Sequence, residues 1–278
     1  MNRLETKTKS GIAVTVEKFA GINEFLTLYE NREISEPYKS HDTANDLKKN
    51  SYNKHDREFT SVKGYAEAVE QFKNGKNTTA IKTARANAVT GTKKEIKHSV
   101  NGGRVCVPSY LSGSPACMRR RVSKPAKTEL NVIVDMGVPW YISADQIKDA
   151  GAQIVEYVTD LEQRYNVNVH ACHLVSFNQK SSGKYRDCFM YSIKIKDAGK
   201  PFSAGRVSFC LTSPAFQRVF GFLWVTRAEG VPYAYGLGTS TTHNMEQASE
   251  VIDKVYKNSL FLSVLDVIRH GKDAFPIK

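Results

Sequence analysis

Thirteen lysines and arginines face a single acid between residues 73 and 127: Lys73, Lys76, Lys82, Arg85, Lys93, Lys94, Lys97, Arg104, Arg119, Arg120, Arg121, Lys124 and Lys127 against Glu95. That local excess equals the whole +12 net charge of the 278-residue chain. The flanks are balanced, with 11 bases and 12 acids in residues 1–72 and 16 bases and 15 acids in residues 128–278. A neutral body with one basic belt suits the gripping of a polyanion, because each neutralised phosphate releases counterions and gives affinity without any reading of bases. The same charge spread over a solvated surface would serve solubility alone; its segregation favours the first reading.

Within the belt, Lys93, Lys94, Lys97, Arg104, Arg119, Arg120, Arg121, Lys124 and Lys127 are the candidate phosphate contacts. The three consecutive arginines matter most, because planar guanidinium forks fit phosphate and stack on rings better than ammonium groups do. Single-strand binders add rings on which bases stack. Tyr110 inside the belt and Trp140-Tyr141 in the loop after Asp135 are the candidates for that role, Tyr110 and Trp140 foremost.

Other chemistry is weakly supported. His170, Cys172 and His173 suggest metal ligands, but in an alternating run residues 170 and 172 share one strand face while 173 points the other way. No second ligand pair with zinc spacing accompanies them. Gly236-Leu237-Gly238 is a lone pair of glycines, more simply a turn than a phosphate cradle. Asp135, Asp187, Asp197 and Lys194 could serve a metal-dependent nuclease, yet their spacing matches nothing specific. No nucleophile elbow or triad order is visible. No catalytic residue, cofactor or metal is expected.

The elements that must position the belt read as an α/β (or α+β) protein, a mixed sheet with flanking helices. Two regions are expected: a helical, loop-rich basic part over 1–127 and an α/β body over 128–278. Residues 1–10 read as a loose terminus. Helical spacing covers Phe19 to Arg32 and Ser61 to Asn74, and Ala80 to Ala88 could be a basic helix. Glycines and prolines at 102, 103, 108, 113 and 115 forbid a long regular element there. Val105, Val107, Tyr110, Leu111 and Met118 then read as anchors laying that loop on the body. A β-α-β unit fills 130–175: strand Leu130 to Val134, a helix opened by the capping box Ser143/Gln146, and strand Val167 to Val175. Further strands are expected at Cys188 to Lys196, Arg206 to Leu211 and Phe222 to Thr226. Helices follow at Pro214 to Phe220, Asn244 to Lys257 and Leu260 to Ile268.

No run approaches the ~18 apolar residues of a membrane span, and no apolar secretory signal opens the sequence. Five cysteines without CxxC spacing suit free thiols in a reducing cytoplasm.

The block GGRVCVPSYLSGSPACMRRRV, followed by VIVDMGVPWYISADQIKDAGAQIVEYVTDLE and preceded by FTSVKGYAEAVEQFKNGK, resembles a family of uncharacterised phage-encoded proteins. With its size and charge, the chain also resembles early single-stranded-DNA-binding transcription regulators of podoviruses that package a giant virion RNA polymerase. The resemblance implies a cytoplasmic, non-enzymatic protein that coats unwound DNA, with a phage RNA polymerase as partner and self-association as a further expectation. RNA is a second candidate ligand. The strand–Asp135–loop–helix–strand order is similar to a von Willebrand A-type domain, whose Asp-x-Ser-x-Ser metal turn is replaced here by Asp135-Met136-Gly137-Val138-Pro139. A phage protein that binds and inhibits a host or defence protein is the competing reading.

Overall fold

The computed structural model describes residues 1–9, 11–39, 54–74, 96–101, 104–121, 127–139, 141–178, 185–200, 204–231 and 245–276. Its centre is the expected β-α-β unit. In the strand Glu129–Asp135, Val132, Ile133 and Val134 are all fully buried, the continuous apolar run of a strand covered on both faces. The helix Ala144–Arg164 starts where Gln146 N–H donates to Ser143 Oγ (3.2 Å) and Ser143 N–H donates to Gln146 Oε1 (2.9 Å), so two end-of-helix donors are satisfied reciprocally. Ile147, Ile154, Val155, Val158 and Leu161 form its buried stripe. The chain returns in the strand Asn166–Asn178, parallel to the first.

Around this unit lies one six-stranded mixed sheet. Numbered in chain order, β1 is Asn2–Lys7, β2 is Ala13–Phe19, β6 is Glu129–Asp135, β7 is Asn166–Asn178, β8 is Tyr185–Lys196 and β9 is Ser259–Ser263. The strand order is β1-β2-β8-β7-β6-β9. β1/β2 and β7/β8 pair antiparallel, while β2/β8, β6/β7 and β6/β9 pair parallel. The sheet therefore crosses residue 127, with two strands from the first part of the chain on one edge. One face carries the larger core with most of the helices. The other carries a smaller cluster of Ile12, Val14, Val16, Ile133, Leu174, Met190, Val251 and Ile252 under the helix Met245–Val255.

Several expectations are corrected. Residues 1–10 are not a loose terminus: β1 and β2 form a hairpin whose turn includes Gly11 at φ 83°, a conformation favouring glycine. Arg206 to Leu211 and Phe222 to Thr226 are not strands but the helices Ala204–Thr212 and Phe222–Arg227, joined through a π-helical turn at Phe216–Gly221. Apart from exposed Arg206, these segments are buried on every side, so period cannot distinguish them from buried strands. Phe220, Phe222 and Trp224, whose two-residue spacing reads as the core side of a strand, are core residues on helical backbone. Leu260 to Ile268 divides into the edge strand β9 and the helix Val264–His270.

A buried polar junction ties the first strands to the late helices. Glu17 of β2, 2% exposed, accepts from the Tyr29 hydroxyl and from the indole N–H of Trp224 (2.8 Å). Arg227 donates to the carbonyls of Tyr29 (2.7 Å) and Glu30 (2.6 Å), closing the C-terminal end of the helix Ile22–Tyr29. Asp135 is fully buried and accepts from Gly137 N–H (3.0 Å), a local turn bond at the end of β6.

Candidate nucleic-acid interface

The basic belt is built on a second, three-stranded antiparallel sheet. β3 is Ile96–Ser99, β4 is Arg104–Val105 and β5 is Met118–Arg121, in the order β3-β5-β4. Its register places Arg119 opposite His98 on one side and opposite Arg104 on the other. Residues directly opposite in an antiparallel pair share a face. His98, Arg119 and Arg104 therefore form one row across three strands, and all three are exposed. One step along the ladder, Lys97 stands opposite Arg120, and beyond it Ile96 opposite Arg121.

Like charges placed directly opposite cost stability. The three strands read IKHS, RV and MRRR and contain no acid. Among the described residues no carboxylate pairs with Arg104 or Arg119. A row of this kind gathers positive charge that an anionic ligand can neutralise. The Arg119 guanidinium donates to Cys106 Sγ at 3.5 Å.

Between β4 and β5 the chain makes a closed loop. Its helix Val107–Leu111 is started by Pro108 and ended by a Schellman arrangement: Gly113 N–H donates to the Tyr110 carbonyl (3.0 Å) and Ser114 N–H to the Ser109 carbonyl (3.0 Å). Gly113 sits at φ 72°, the left-handed position this ending requires. The loop's ends meet where Cys106 N–H donates to the Cys117 carbonyl at 2.7 Å.

The apolar residues of this module are not anchors against the body. Val105, Val107, Tyr110 and Leu111 are 50%, 60%, 66% and 78% exposed, and Val100 beside them 68%. The small sheet and its short loop bury Cys106 but are too small to enclose the rest. Only Met118 of the expected anchors is half-buried. The result is a set of exposed apolar side chains, one of them aromatic, on and beside the loop between the two strands that carry Arg104 and Arg119.

The structure thus brings together Arg104, Arg119 and Tyr110, with Lys97, Arg120 and Arg121 at neighbouring register positions. Lys127 lies elsewhere: half-buried, its ammonium donates to the Glu162 carbonyl in the last turn of the helix Ala144–Arg164. Lys93, Lys94, Lys124 and Trp140 lie outside the described residues, as do the Ala80 to Ala88 helix and the Gly236-Leu237-Gly238 turn. Tyr141, next to Trp140, is 58% exposed. His98 was missed by sequence reasoning. The alternation of Lys97, His98 and Ser99 held a signal for it, but only the register makes it part of the row.

Among the described residues the acids named for a metal site are not gathered into one cluster. Asp187 and Asp197 are ten residues apart on or beside one extended strand, about 33 Å at ~3.3 Å per residue. Asp197 is half-buried and held by Lys200 (2.7 Å) and Lys194 (2.9 Å), which in that order pull its carboxyl down to about 2. Among the described residues no group of three or more His, Cys, Asp or Glu is placed to hold a metal ion. No helix among them is long and apolar enough to cross a membrane.

Fold and site together define a mixed α/β protein with a small, basic antiparallel sheet displayed at its surface. Residues 4–267 match the family described as a domain of unknown function, DUF7192, and the chain belongs to that family. No curated protein and no solved structure matches it.

Proposed function

We propose that this protein binds single-stranded nucleic acid, DNA in the first instance, without strong sequence preference and without catalysing a reaction on it. The observation that supports the reading is the row His98–Arg119–Arg104, aligned across three strands without an acid, with the exposed ring of Tyr110 on the loop that joins β4 to β5. Guanidinium groups in a row track a phosphate backbone, and an exposed ring takes a base face whatever the base. A recognition helix for a duplex major groove is not part of the module, whose single helix has five residues.

The resemblance of the 102–122 block to phage proteins supports a place in early or middle phage transcription or replication, in the host cytoplasm, with a phage RNA polymerase as partner. Fluorescence anisotropy of labelled single-stranded and duplex oligonucleotides, titrated at several salt concentrations, tests the reading. Preferential single-strand binding that weakens steeply with salt is expected. No binding to either oligonucleotide at low salt would overturn it.

A specific observation favours one competitor. Val107 and Leu111 present aliphatic surface that phosphate does not need, and the same module could dock on an acidic host protein. That reading predicts a preparation free of nucleic acid that captures one host protein and loses it on Leu111→Asp substitution.

A further inference from the structure

The loop that presents Tyr110 is closed at its neck by two cysteines. The β4/β5 register pairs Arg104 with Arg119 and Val105 with Met118; one step further it sets Cys106 opposite Cys117. The 2.7 Å bond from Cys106 N–H to the Cys117 carbonyl is the bond that a hydrogen-bonded antiparallel pair makes. Such a pair holds its Cα atoms about 5.5 Å apart, inside the ~4.4–6.8 Å range that a disulfide spans. Its Cβ atoms lie roughly 4.5–5.5 Å apart against about 3.5–4.5 Å in a disulfide, so the strands need to close by about 1 Å. A bond formed that way is reversible rather than a permanent staple.

The surroundings differ from those of the other thiols. All five cysteines are free. Cys172 and Cys210 are fully buried, and burial pushes both thiols up, which makes them inert. At Cys106 the Ser109 hydroxyl donates to the sulfur at 3.3 Å and the Arg119 guanidinium donates to it at 3.5 Å. Ser109 first and Arg119 second hold that thiol below its ordinary value. Cys117 is half-buried and is the more accessible of the two.

We propose that Cys106 and Cys117 form a redox-active dithiol at the neck of the Tyr110 loop, closed to a disulfide by a small disulfide oxidant of the glutathione type. The Cys117 thiolate attacks one sulfur of oxidised glutathione, forming a mixed disulfide and expelling one glutathione thiolate. The Cys106 thiolate then attacks the Cys117 sulfur and expels the second. The two thiol protons end on the two glutathiones, and the two electrons lost by the cysteines reduce the oxidant. The closed form draws Cys106 from under Arg119 and pins the two ends of the loop, whatever the loop binds.

The test uses the full folded chain in glutathione buffers graded from reducing to oxidising. Trypsin cuts after Arg104 and Arg119, so one peptide, residues 105–119, carries both cysteines and no other. That peptide should lose two hydrogens before Cys172, Cys188 or Cys210 is modified. Cys106→Ser should instead leave a stable glutathione adduct on Cys117. Stable separate adducts on both cysteines of the unaltered chain would overturn the proposal. So would a 105–119 peptide that stays reduced in the native chain under buffers that oxidise it after unfolding.

Discussion

Arg119 stands directly opposite Arg104 across the β4/β5 ladder, two guanidinium groups on neighbouring strands with no acid on either. The pair works against folding, and in the proposed function it serves anion binding. Replacing both with alanine is expected to leave thermal stability unchanged or slightly raised, by a few tenths of a kcal/mol, the scale of one opposed like-charge pair. Single-strand affinity should fall about tenfold or more at moderate salt, and the salt slope should drop by about 1 for each phosphate no longer neutralised. The Arg119/Arg120/Arg121 triple alanine variant should fall further. Anisotropy beside a melting curve separates the two effects, and unchanged affinity would remove the module from the binding site.

Tyr110 is 66% exposed, so its ring contributes little to the core and is free to stack. Tyr110→Ala should cost about 1–3 kcal/mol of single-strand binding, the usual worth of one base on one ring. Tyr110→Phe should retain nearly all of it, because the contact is with the ring face. Equal losses in both variants, in the same titration, would mean that the hydroxyl carries the interaction.

Gly151 lies where the helix Ala144–Arg164 crosses the helix Ala204–Thr212 at close range. A Cβ at this position would stand 2.0 Å from the Leu211 carbonyl oxygen and 2.9 Å from Thr212 Cγ2. The obstacle is backbone, which cannot rotate away. Although alanine is normally the better helix residue by about 1 kcal/mol, Gly151→Ala should destabilise by roughly 1–3 kcal/mol or more, as overpacking does. Urea unfolding should show a lower midpoint. A raised midpoint would mean that the two helices part at little cost.

That crossing explains what could and could not be seen in advance. The helix Ala144–Arg164 was legible because its cap, stripe and length all agree, and β6 and β7 because apolar runs of strand length flank it. Val207 to Leu211 carries no such agreement. It is buried on every side, Ser208 included, so no period marks it, and its close packing on Gly151 is visible only in the tertiary structure. Phe220, Phe222 and Trp224 repeat the lesson: two-residue spacing imitated a strand on backbone that is helical. At the site, the segregation of charge was plain from the residues. The row was not, because it depends on a loop of Gly113 and Pro108 returning Cys117 to Cys106 and so setting Arg119 opposite Arg104. The exposure of Val107 and Leu111 was equally hidden, since an apolar residue in sequence reads as an anchor until its surroundings are known.

His170 makes the stability of the body depend on pH. It stands opposite Lys194 in the β7/β8 ladder and packs its ring 4.8 Å from Tyr256, over which Lys18 Nζ sits at 3.9 Å. Burial first, then the charges of Lys194 and Lys18, push its imidazole down to about 3. The unfolded chain binds this proton near the ordinary value of ~6.5, while the folded chain refuses it. Stability from this group is therefore present above pH ~6.5 and is lost as pH falls toward 3, at up to about 1.4 kcal/mol per pH unit for one proton. The paired carboxyl of Asp197, held at about 2, loses its own contribution only below its ordinary value of 3.8 and leaves the upper part of this window undisturbed. Urea unfolding at pH 7, 6 and 5 should show stability declining over that range, with the decline flattened in His170→Gln whatever that variant's stability at pH 7. An identical slope in the variant would place the titrating group elsewhere.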